Sequence, residues 1–387
     1  MSDNINKEIE KAGEIFKKIL IEQIERNERI EHTKKSNKSP KDSIIIGICE
    51  GDGIGPVITR ETLRVLNILL DEELRNNKII LKNIEGLTIE NRLKQGKTVP
   101  DEVYKEMKKC DVILKGPTTT PSENDGTKNI ESANVYLRKA FDLYANVRPV
   151  SLPGLGIDWI FFRENTEGEY ALGSSGISIK DKLSLDFKVT TRNGTERIAR
   201  AAFDYAKANG KKKVSIVTKA NIMKKTDGDF LRICREVGSE YEDIEIDSWF
   251  VDIMAANLIN KQIRKGFSVF ILPNLYGDII TDEAAQIQGG VGTAGSGNIG
   301  DDMAIFEAIH GSAPRMVKEG LMEKANPASL MKAASMMLHH IGANEKSERL
   351  ERAVDAAISQ IGMKMEGLAD SLNSADFTDK VIENLKA

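Results

Sequence analysis

The chain has 387 residues, of which 40% are hydrophobic and 29% charged, a composition typical of a globular protein long enough for two domains. A formal net charge of −4 provides no overall basic field to attract nucleic acid, and three isolated cysteines without CxxC spacing indicate neither a disulfide framework nor a zinc site. Because no apolar run reaches membrane-spanning length and no signal or transit segment is evident, we expect a cytoplasmic protein without nucleic-acid or membrane partners.

Residues 1–42 differ from the rest of the chain in their pattern. Apolar side chains recur there at helical spacing among Glu, Lys and Arg, which predicts one long amphipathic helix. The basic stretch at 32–41, which contains Ser, Asn and Pro, predicts a linker. The helix either packs on its own domain or forms a surface for oligomerisation, and the sequence leaves both open. The apolar positions are Ile5, Ile9, Ala12, Phe16, Ile19, Leu20 and Ile24.

From Ser43 onward the chain alternates predicted strands and helices, which indicates an α/β protein with a largely parallel sheet. Strands are predicted at 43–49, 78–84, 111–114, 159–162, 214–217 and 267–272. Helices are predicted at 57–70, 134–143, 194–208 and 252–263, and from Thr281 onward. A Gly- and Ser-rich stretch at 168–190 interrupts the alternation and predicts a β-excursion.

The segment GDGIGP at 51–56 lies between the first predicted strand and the first helix of this alternation. One interpretation is a dinucleotide phosphate loop. The spacing is GxGxG instead of GxGxxG, however, and Pro56 removes an N–H donor from the helix start, where a phosphate needs donors. We therefore favour a tight strand-to-helix turn.

Three arginines and two small polar residues stand at the ends of predicted elements. They are Ser132, Asn134, Arg138, Arg148 and Arg163. Ser132 is predicted to be a helix N-cap, and Asn134 and Arg138 share one face of the helix that follows. Guanidinium groups bind carboxylates bidentately, so convergent arginines would bind a polycarboxylate. The alternative is that each arginine forms a separate surface ion pair.

Asp278 and Asp282 follow an apolar strand and a turn predicted at 273–277. Four residues apart on a helix, the two carboxylates lie on one face, and this pair of hard oxygen ligands suits Mg²⁺ or Mn²⁺. The alternative is that they occupy a first helical turn and interact with its dipole and free N–H groups. With the clustered arginines, the pair would also fit a metal-dependent phosphohydrolase.

Taken together, these segments resemble the isocitrate/isopropylmalate dehydrogenase family of β-decarboxylating dehydrogenases. The resemblance runs in order from about residue 43 to the C-terminus, and only the N-terminal helix lies outside it. The matching segments are GDGIGP at 51–56, KGP at 115–117, DLYANVRP at 142–149, RENTEGEY at 163–170, TKANIMK at 218–224, NLYGDIITD at 274–282, HGSAP at 310–314 and NP at 326–327.

The resemblance implies an α/β fold that is not of the Rossmann type. A large cofactor-binding domain would combine residues 43–143 and 289–387, and a smaller α/β domain would span 144–288. A β clasp at about 168–191 in the smaller domain would pair with a second subunit, giving a homodimer with shared active sites. Residues 1–42 would extend this dimer to a higher oligomer if their helix packs on another subunit.

The resemblance also implies a role for each site residue in the oxidative decarboxylation of a small 2-hydroxy acid. The catalytic residues would be Tyr170 and Lys219, and Mg²⁺ or Mn²⁺ would be held by Asp252, Asp278 and Asp282. The substrate would be bound by Ser132, Asn134, Arg138, Arg148 and Arg163. The cofactor would be bound by Thr119, Asn221, Glu307, His310, Gly311, Ser312, Ala313 and Asn326. Lys219 and Asp252 would act on metal and substrate bound mainly by the other subunit.

The identity of the acid and the cofactor depends on a few positions. Ser132 and Asn134 are polar where isopropylmalate enzymes are apolar, which favours isocitrate; homoisocitrate is the near alternative, because one methylene is worth only about 1–3 kcal/mol of discrimination. Arg315 and Met316 match neither the Lys-Tyr of NADP-dependent relatives nor the Asp of NAD-dependent ones. We expect NAD, with NADP as the alternative. Since every predicted site residue follows the linker, we expect deletion of residues 1–40 to leave catalysis per active site nearly unchanged.

Overall fold

The computed structural model describes residues 3–32, 42–121, 130–173, 175–179, 182–361 and 372–386. The linker predicted at 32–41 therefore lies, apart from its first residue, outside the described residues. The chain divides into two compact units. The first unit comprises Met1–Ser36 and Trp159–Ile280, and the second comprises Asn37–Asp158 and Thr281–Ala387.

The strands and helices of the described residues follow the expected alternation. The strands are β1 Ile44–Cys49, β2 Ile79–Asn83, β3 Val112–Lys115, β4 Ala145–Leu152, β5 Ile157–Glu164, β6 Ile177–Ile179, β7 Leu183–Leu185, β8 Lys213–Thr218, β9 Glu245–Phe250, β10 Val269–Leu272, β11 Gly295–Ile299 and β12 Ala304–Ala308. The helices are α1 Asp3–His32, α2 Gly55–Leu69, α3 Asp71–Arg75, α4 Ile89–Gln95, α5 Asp101–Met107, α6 Ala133–Ala140, α7 Arg192–Ala208, α8 Thr226–Gly238, α9 Val251–Ile259, α10 Asn274–Gln288, α11 Pro314–Lys318, α12 Ala328–His340, α13 Asn344–Ile361 and α14 Ser374–Lys386. Within the described part of the chain, no helix is long and apolar enough to cross a membrane.

The second unit is built on strands in the order β2-β1-β3-β12-β11-β4. The first four of these pair in parallel, whereas β11 is antiparallel to both β12 and β4, so this part of the sheet is mixed and rich in parallel pairs. The predicted β1 and β3 are near-continuous apolar runs because both faces are covered, as expected for parallel strands. One face packs on α2, α12, α13 and α14, whose buried side chains include Leu66, Met331 and Val354.

The first unit has four parallel strands in the order β5-β10-β8-β9. Its core is aromatic: the rings of Phe161 and Phe270 stack with centroids 4.4 Å apart, and Trp159 meets both edge-on. The β-excursion predicted at 168–190 is confirmed in the described residues, where β6 and β7 form an antiparallel pair and Gly168 bridges Val189.

The N-terminal helix is confirmed as a single helix, α1, which packs on β6 and α7 of the first unit. The Phe16 ring lies 5.4 Å from the Phe187 ring, and Ile19 is buried. Asn193 Nδ2 donates to Asn27 Oδ1 at 3.1 Å and to Glu31 Oε1 at 2.9 Å. Of the two interpretations left open by the sequence, packing on the helix's own domain is therefore observed.

The unit boundaries differ from the expected middle domain of 144–288. β4 lies in the second unit because it pairs with β11 there. The end of α10 also lies in the second unit, where Gln288 Oε1 accepts a 3.0 Å hydrogen bond from the Ser151 N–H and Arg148 Nη1 donates to Thr281 Oγ1 at 2.6 Å. The N-terminal helix, expected as a separate segment, groups with the first unit.

The predicted helix bounds differ most from the structure at the start of α10 and at the end of α9. Helix α10 begins at Asn274 instead of Thr281, because Gly277 is helical: a Cβ there would lie 2.5 Å from Arg163 Cγ, so this glycine admits a close side chain and does not mark a turn. Helix α9 ends at Ile259, short of the predicted 263. Asn260 Oδ1 accepts from the backbone N–H groups of Gln262 and Ile263, and this local turn replaces the helix.

Candidate active site

A polar cavity of about 90 Å³ lies in the second unit, where β3 and β12 end. Because these strands are parallel neighbours, their carboxyl ends open at the same edge of the sheet, a common place for ligand sites. Its walls include Asn134, Arg138, Arg148, Ser296, Glu307 and His310. Three of the five residues predicted to bind substrate, Asn134, Arg138 and Arg148, are thus brought together with three of those predicted to bind cofactor, Glu307, His310 and Gly311.

Asn134 has its amide oriented by a neighbour. Thr118 Oγ1 donates to Asn134 Oδ1 at 3.1 Å, which assigns the carbonyl oxygen to the protein and leaves the NH₂ group as the donor for a ligand. Ser132 occupies the predicted N-cap position of α6 but makes no capping hydrogen bond. Nor does Ser132 belong to the cavity wall that the described residues form.

Glu307, in the wall of this cavity, belongs to a buried ionic cluster. Its carboxylate lies 2.8 Å from Lys115 Nζ and 3.6 Å from Arg138 Nη2, and Asn298 Nδ2 donates to it at 2.8 Å. Burial opposes ionisation, but the charges of Lys115 and Arg138 and these hydrogen bonds bring the pKa of Glu307 down to about 2. Glu307 therefore carries its charge and holds Arg138, a role that the sequence did not reveal. The buried Lys115, in the quoted KGP segment, was the available signal.

Most of the predicted cofactor residues in the second unit make hydrogen bonds to other residues of that unit. Thr119 Oγ1 and Ser312 Oγ are 2.7 Å apart, and Asn326 Oδ1 accepts the Ala328 N–H at 2.9 Å. His310 Nδ1 lies 3.0 Å from the Gly311 carbonyl oxygen, and burial lowers the His310 pKa, which favours a neutral ring. Ala313 has a positive φ of 50° at the start of α11.

The glycine-rich segment at 51–56 supports this loop. Gly53 has φ of 60°, and a Cβ there would lie 2.1 Å from the Ser312 carbonyl oxygen, which also accepts the Ile54 N–H at 3.2 Å. Asp52 Oδ2 accepts the Thr119 N–H at 2.7 Å. The segment is therefore a tight turn packed against backbone, in agreement with the favoured interpretation.

In the first unit, Arg163, Tyr170 and Asp278 form one hydrogen-bonded cluster. Arg163 is 1% exposed; it donates to Asn274 Oδ1 through Nε at 2.9 Å and Nη2 at 2.7 Å, and its Nη1 pairs with Asp278. The Tyr170 hydroxyl donates to the other Asp278 oxygen at 2.9 Å. Asn274 was missed as a site residue because its position suggested a turn.

The two aspartates of α10 stand in the body of the helix, and none of its acidic residues lies in the first turn. The alternative, that the two aspartates occupy the first helical turn and interact with its dipole and free N–H groups, is therefore wrong. Asp282 pairs with Arg148 Nη1 at 3.0 Å. Two carboxylates one turn apart offer the hard oxygen ligands that Mg²⁺ and Mn²⁺ prefer, so the donor chemistry fits such an ion. The described residues of one chain bring no third acidic, His or Cys ligand to a shared cluster.

Lys219 and Asp252, the other predicted catalytic and metal residues, pair with each other in the first unit. Lys219 Nζ lies 2.6 Å from Asp252 Oδ1, and this partner lowers the Asp252 pKa. The Lys219 backbone N–H donates to the buried Asp227 at 2.6 Å, and Asp227 also lies 2.5 Å from Lys188 Nζ. Asp227 and Lys188 were not predicted, since no local pattern links them to Lys219. The remaining predicted residue, Asn221, follows Lys219 in the same loop.

Comparisons with known proteins identify similar sequences and structures. The family model described as isocitrate/isopropylmalate dehydrogenase matches residues 45–381. The chain is 36% identical to the mitochondrial isocitrate dehydrogenase [NAD] subunit 2 of Schizosaccharomyces pombe, over 92% of this chain and 91% of that protein. It is 37% identical to the homoisocitrate dehydrogenase of Methanocaldococcus jannaschii, over 88% of this chain and 97% of that protein. A crystal structure of isocitrate dehydrogenase from Methylococcus capsulatus is 36% identical with a TM-score of 0.77, covering 89% of this chain and 100% of that one.

Proposed function

The chain belongs to the isocitrate/isopropylmalate dehydrogenase family, and we propose that within this family it is an isocitrate dehydrogenase. The reaction is the oxidative decarboxylation of isocitrate to 2-oxoglutarate and CO₂, with NAD as hydride acceptor and Mg²⁺ or Mn²⁺ as the required ion. The active form is a homodimer that shares its sites, as the resemblance implies.

The observation that carries the choice of substrate is the polar wall of the cavity in the second unit. Asn134 offers its NH₂ group, and Arg138 and Arg148 offer positive charge. An extra carboxylate pairs with these donors, whereas an isopropyl group would leave them unpaired at a cost of about 1–3 kcal/mol. The wall therefore supports isocitrate over isopropylmalate.

In the proposed chemistry each of the two catalytic residues transfers one proton. Lys219 removes the proton from the C2 hydroxyl as hydride leaves C2 for the nicotinamide. Arg148 and Arg163 hold substrate carboxylates, so that the β-carboxylate departs as CO₂. Tyr170 then delivers a proton to C3 of the resulting enolate, which restores the proton balance. Asp278 contributes by accepting the Tyr170 hydroxyl hydrogen bond, which orients that hydroxyl.

The bound metal would be held by Asp278 and Asp282 together with Asp252 of another subunit, and it supplies a positive charge that lowers the pKa of the substrate hydroxyl. The 2.6 Å contact between Lys219 and Asp252 keeps the proposed base close to one of these ligands. In this scheme each active site needs both subunits.

The preference for NAD is supported by the surroundings of Arg315. Its side chain is 69% exposed and its Nε lies 3.8 Å from Glu319 Oε1 on the same helix. The Glu319 carboxylate therefore competes with a 2′-phosphate for Arg315, the cation that directly follows Pro314. The NAD-dependent relatives agree with this preference.

Homoisocitrate remains a second candidate substrate, because the homoisocitrate dehydrogenase relative is as similar to this chain as the isocitrate dehydrogenases are. Homoisocitrate carries the same three carboxylates on a chain one methylene longer, so the same donors would serve it.

The test is the appearance of reduced cofactor absorbance when purified protein receives substrate and Mg²⁺. Isocitrate, homoisocitrate and isopropylmalate are each tried with NAD and with NADP, and EDTA serves as the metal-free control. We expect isocitrate with NAD to give the highest rate and EDTA to abolish it. No reduced cofactor in any combination, with phosphate ester hydrolysis instead, would favour the phosphohydrolase alternative.

A further inference from the structure

Residues 164–168, which we call the acidic turn, connect β5 to Tyr170 and are buried although most of them are polar. Glu164, Thr166 and Glu167 are 2%, 3% and 2% exposed. Glu164 accepts the backbone N–H groups of Thr166 at 2.9 Å and Glu167 at 2.7 Å, and the Thr166 hydroxyl at 2.7 Å. Burial and the nearby Glu167 charge raise the Glu164 pKa to about 7. Two buried carboxylates this close require compensating cations.

Helix α1 supplies such a cation through Arg26. Its Nη1 lies 3.0 Å from Glu167 Oε1, and its Nη2 donates to Thr166 Oγ1 at 2.9 Å. Arg197 on α7 also donates to Thr166 Oγ1, at 3.2 Å. The Arg26 side chain is 20% exposed, so its guanidinium is largely withdrawn from water. Arg26 precedes residue 45, where the family match begins, so this contact is made from outside the matched segment.

The acidic turn is in turn bonded to the cluster around Tyr170. The Glu167 carbonyl oxygen accepts from Asn274 Nδ2 at 2.9 Å, and Asn274 Oδ1 accepts from Arg163. Arg163 pairs with Asp278, which accepts the Tyr170 hydroxyl. A continuous series of hydrogen bonds therefore runs from α1 to the proposed acid of the reaction, all of it within the first unit.

We propose that Arg26 is a positioning residue: the N-terminal helix fixes the acidic turn, and the turn fixes Asn274 and Arg163 so that Asp278 and Tyr170 are held for catalysis. This inference rests on the proposed function. It replaces the expectation that removal of residues 1–40 leaves catalysis unchanged. Loss of Arg26 leaves Glu167 without this partner and loosens the turn, and a small displacement of a reacting group lowers the rate of the chemical step.

The experiment compares Arg26→Ala with Asn27→Ala in the full chain. Asn27 lies beside Arg26 on α1 and bonds Asn193, so its variant disturbs helix docking without touching the acidic turn. We expect Arg26→Ala to lower kcat about 10- to 100-fold with little change in the KM for NAD, while Asn27→Ala keeps the parent kcat. Guanidinium ion at millimolar concentration should restore part of the Arg26→Ala rate, because it can occupy the vacated space beside Glu167.

Equal kcat values in the two variants, or a loss in Arg26→Ala that guanidinium does not change, would overturn the inference. If Arg26→Ala does not fold, Arg26→Lys is used; it keeps the charge but not the two-pronged contact, and an unchanged kcat would then contradict the role. Hydrogen exchange of the peptide covering 164–170 supplies a readout without turnover, and faster exchange in the Arg26 variant than in Asn27→Ala is expected. If the parent protein oxidises none of the three acids, the proposed function fails, while the exchange comparison still decides the role of Arg26.

Discussion

Asn134→Leu is the change that addresses substrate choice most sharply. The Asn134 amide has its oxygen bonded to Thr118 Oγ1 at 3.1 Å, so its NH₂ group is the part available to a substrate carboxylate. A hydrogen bond to a charged group contributes about 1.5–3 kcal/mol, and its loss should lower kcat/KM for isocitrate roughly 10- to 150-fold. Leucine offers an apolar surface instead, so kcat/KM for isopropylmalate should stay level or rise.

Thr118→Val is the matched control for this substitution. It removes the hydroxyl that orients the amide but keeps the amide itself, so only a neutral hydrogen bond of about 0.5–1.5 kcal/mol is lost and kcat/KM for isocitrate should fall roughly 2- to 12-fold. The assay is steady-state NADH formation with each acid varied. Parallel changes for isocitrate and isopropylmalate in Asn134→Leu would refute the assignment of this residue to the distinguishing carboxylate.

Three further predictions concern catalysis and stability. Asp278→Asn should lower kcat on the order of a hundredfold or more and weaken Mn²⁺ binding measured by calorimetry, with the fold retained; unchanged Mn²⁺ affinity would contradict its ligand role. Tyr170→Phe should slow release of 2-oxoglutarate from a supplied β-keto intermediate by about a hundredfold while reduction of that intermediate is less affected, and equal losses would leave Tyr170 a packing residue. The Glu307 pKa is lowered from its ordinary 4.5 to about 2, so the ionised carboxylate stabilises the folded state above pH 4.5 by up to about 3 kcal/mol. This stabilisation is lost as the pH falls from 4.5 towards 2. Glu307→Gln should therefore lower the urea midpoint most at neutral pH, and a difference from the parent that does not narrow below pH 4.5 would contradict the ionic pairing with Lys115.

Strands were easier to predict from the sequence than helix starts. A buried parallel strand is an apolar run whatever surrounds it, so β1 and β10 were found within two residues of their bounds. The start of α10 was missed because Pro273 and Gly277 have the composition of a turn. Glycine is required at position 277 because of a tertiary contact: the Arg163 side chain occupies the space that a Cβ would take. No local sequence pattern contains that information.

The residues of the candidate site were predicted from motif segments. The motifs did not show which residues, distant in sequence, form hydrogen bonds and ion pairs with them. Local spacing identified Asp278 and Asp282 as a pair on one helix face. The partners of the polar groups are distant in sequence. Lys115 pairs with Glu307, and Arg26 pairs with Glu167, 141 residues further along the chain. Each such pair depends on how elements pack, so sequence reasoning names the residue types without showing which of them meet.

The most direct measurement of the central claim is a competition between two substrates in one reaction. Equal concentrations of isocitrate and homoisocitrate are given to the parent protein with Mg²⁺ and limiting NAD, and the products are quantified by mass spectrometry. The ratio of 2-oxoglutarate to 2-oxoadipate then equals the ratio of the two kcat/KM values. We predict 2-oxoglutarate in excess by about 10-fold or more, from the discrimination that one methylene allows. An excess of 2-oxoadipate would contradict the assignment of isocitrate as the substrate.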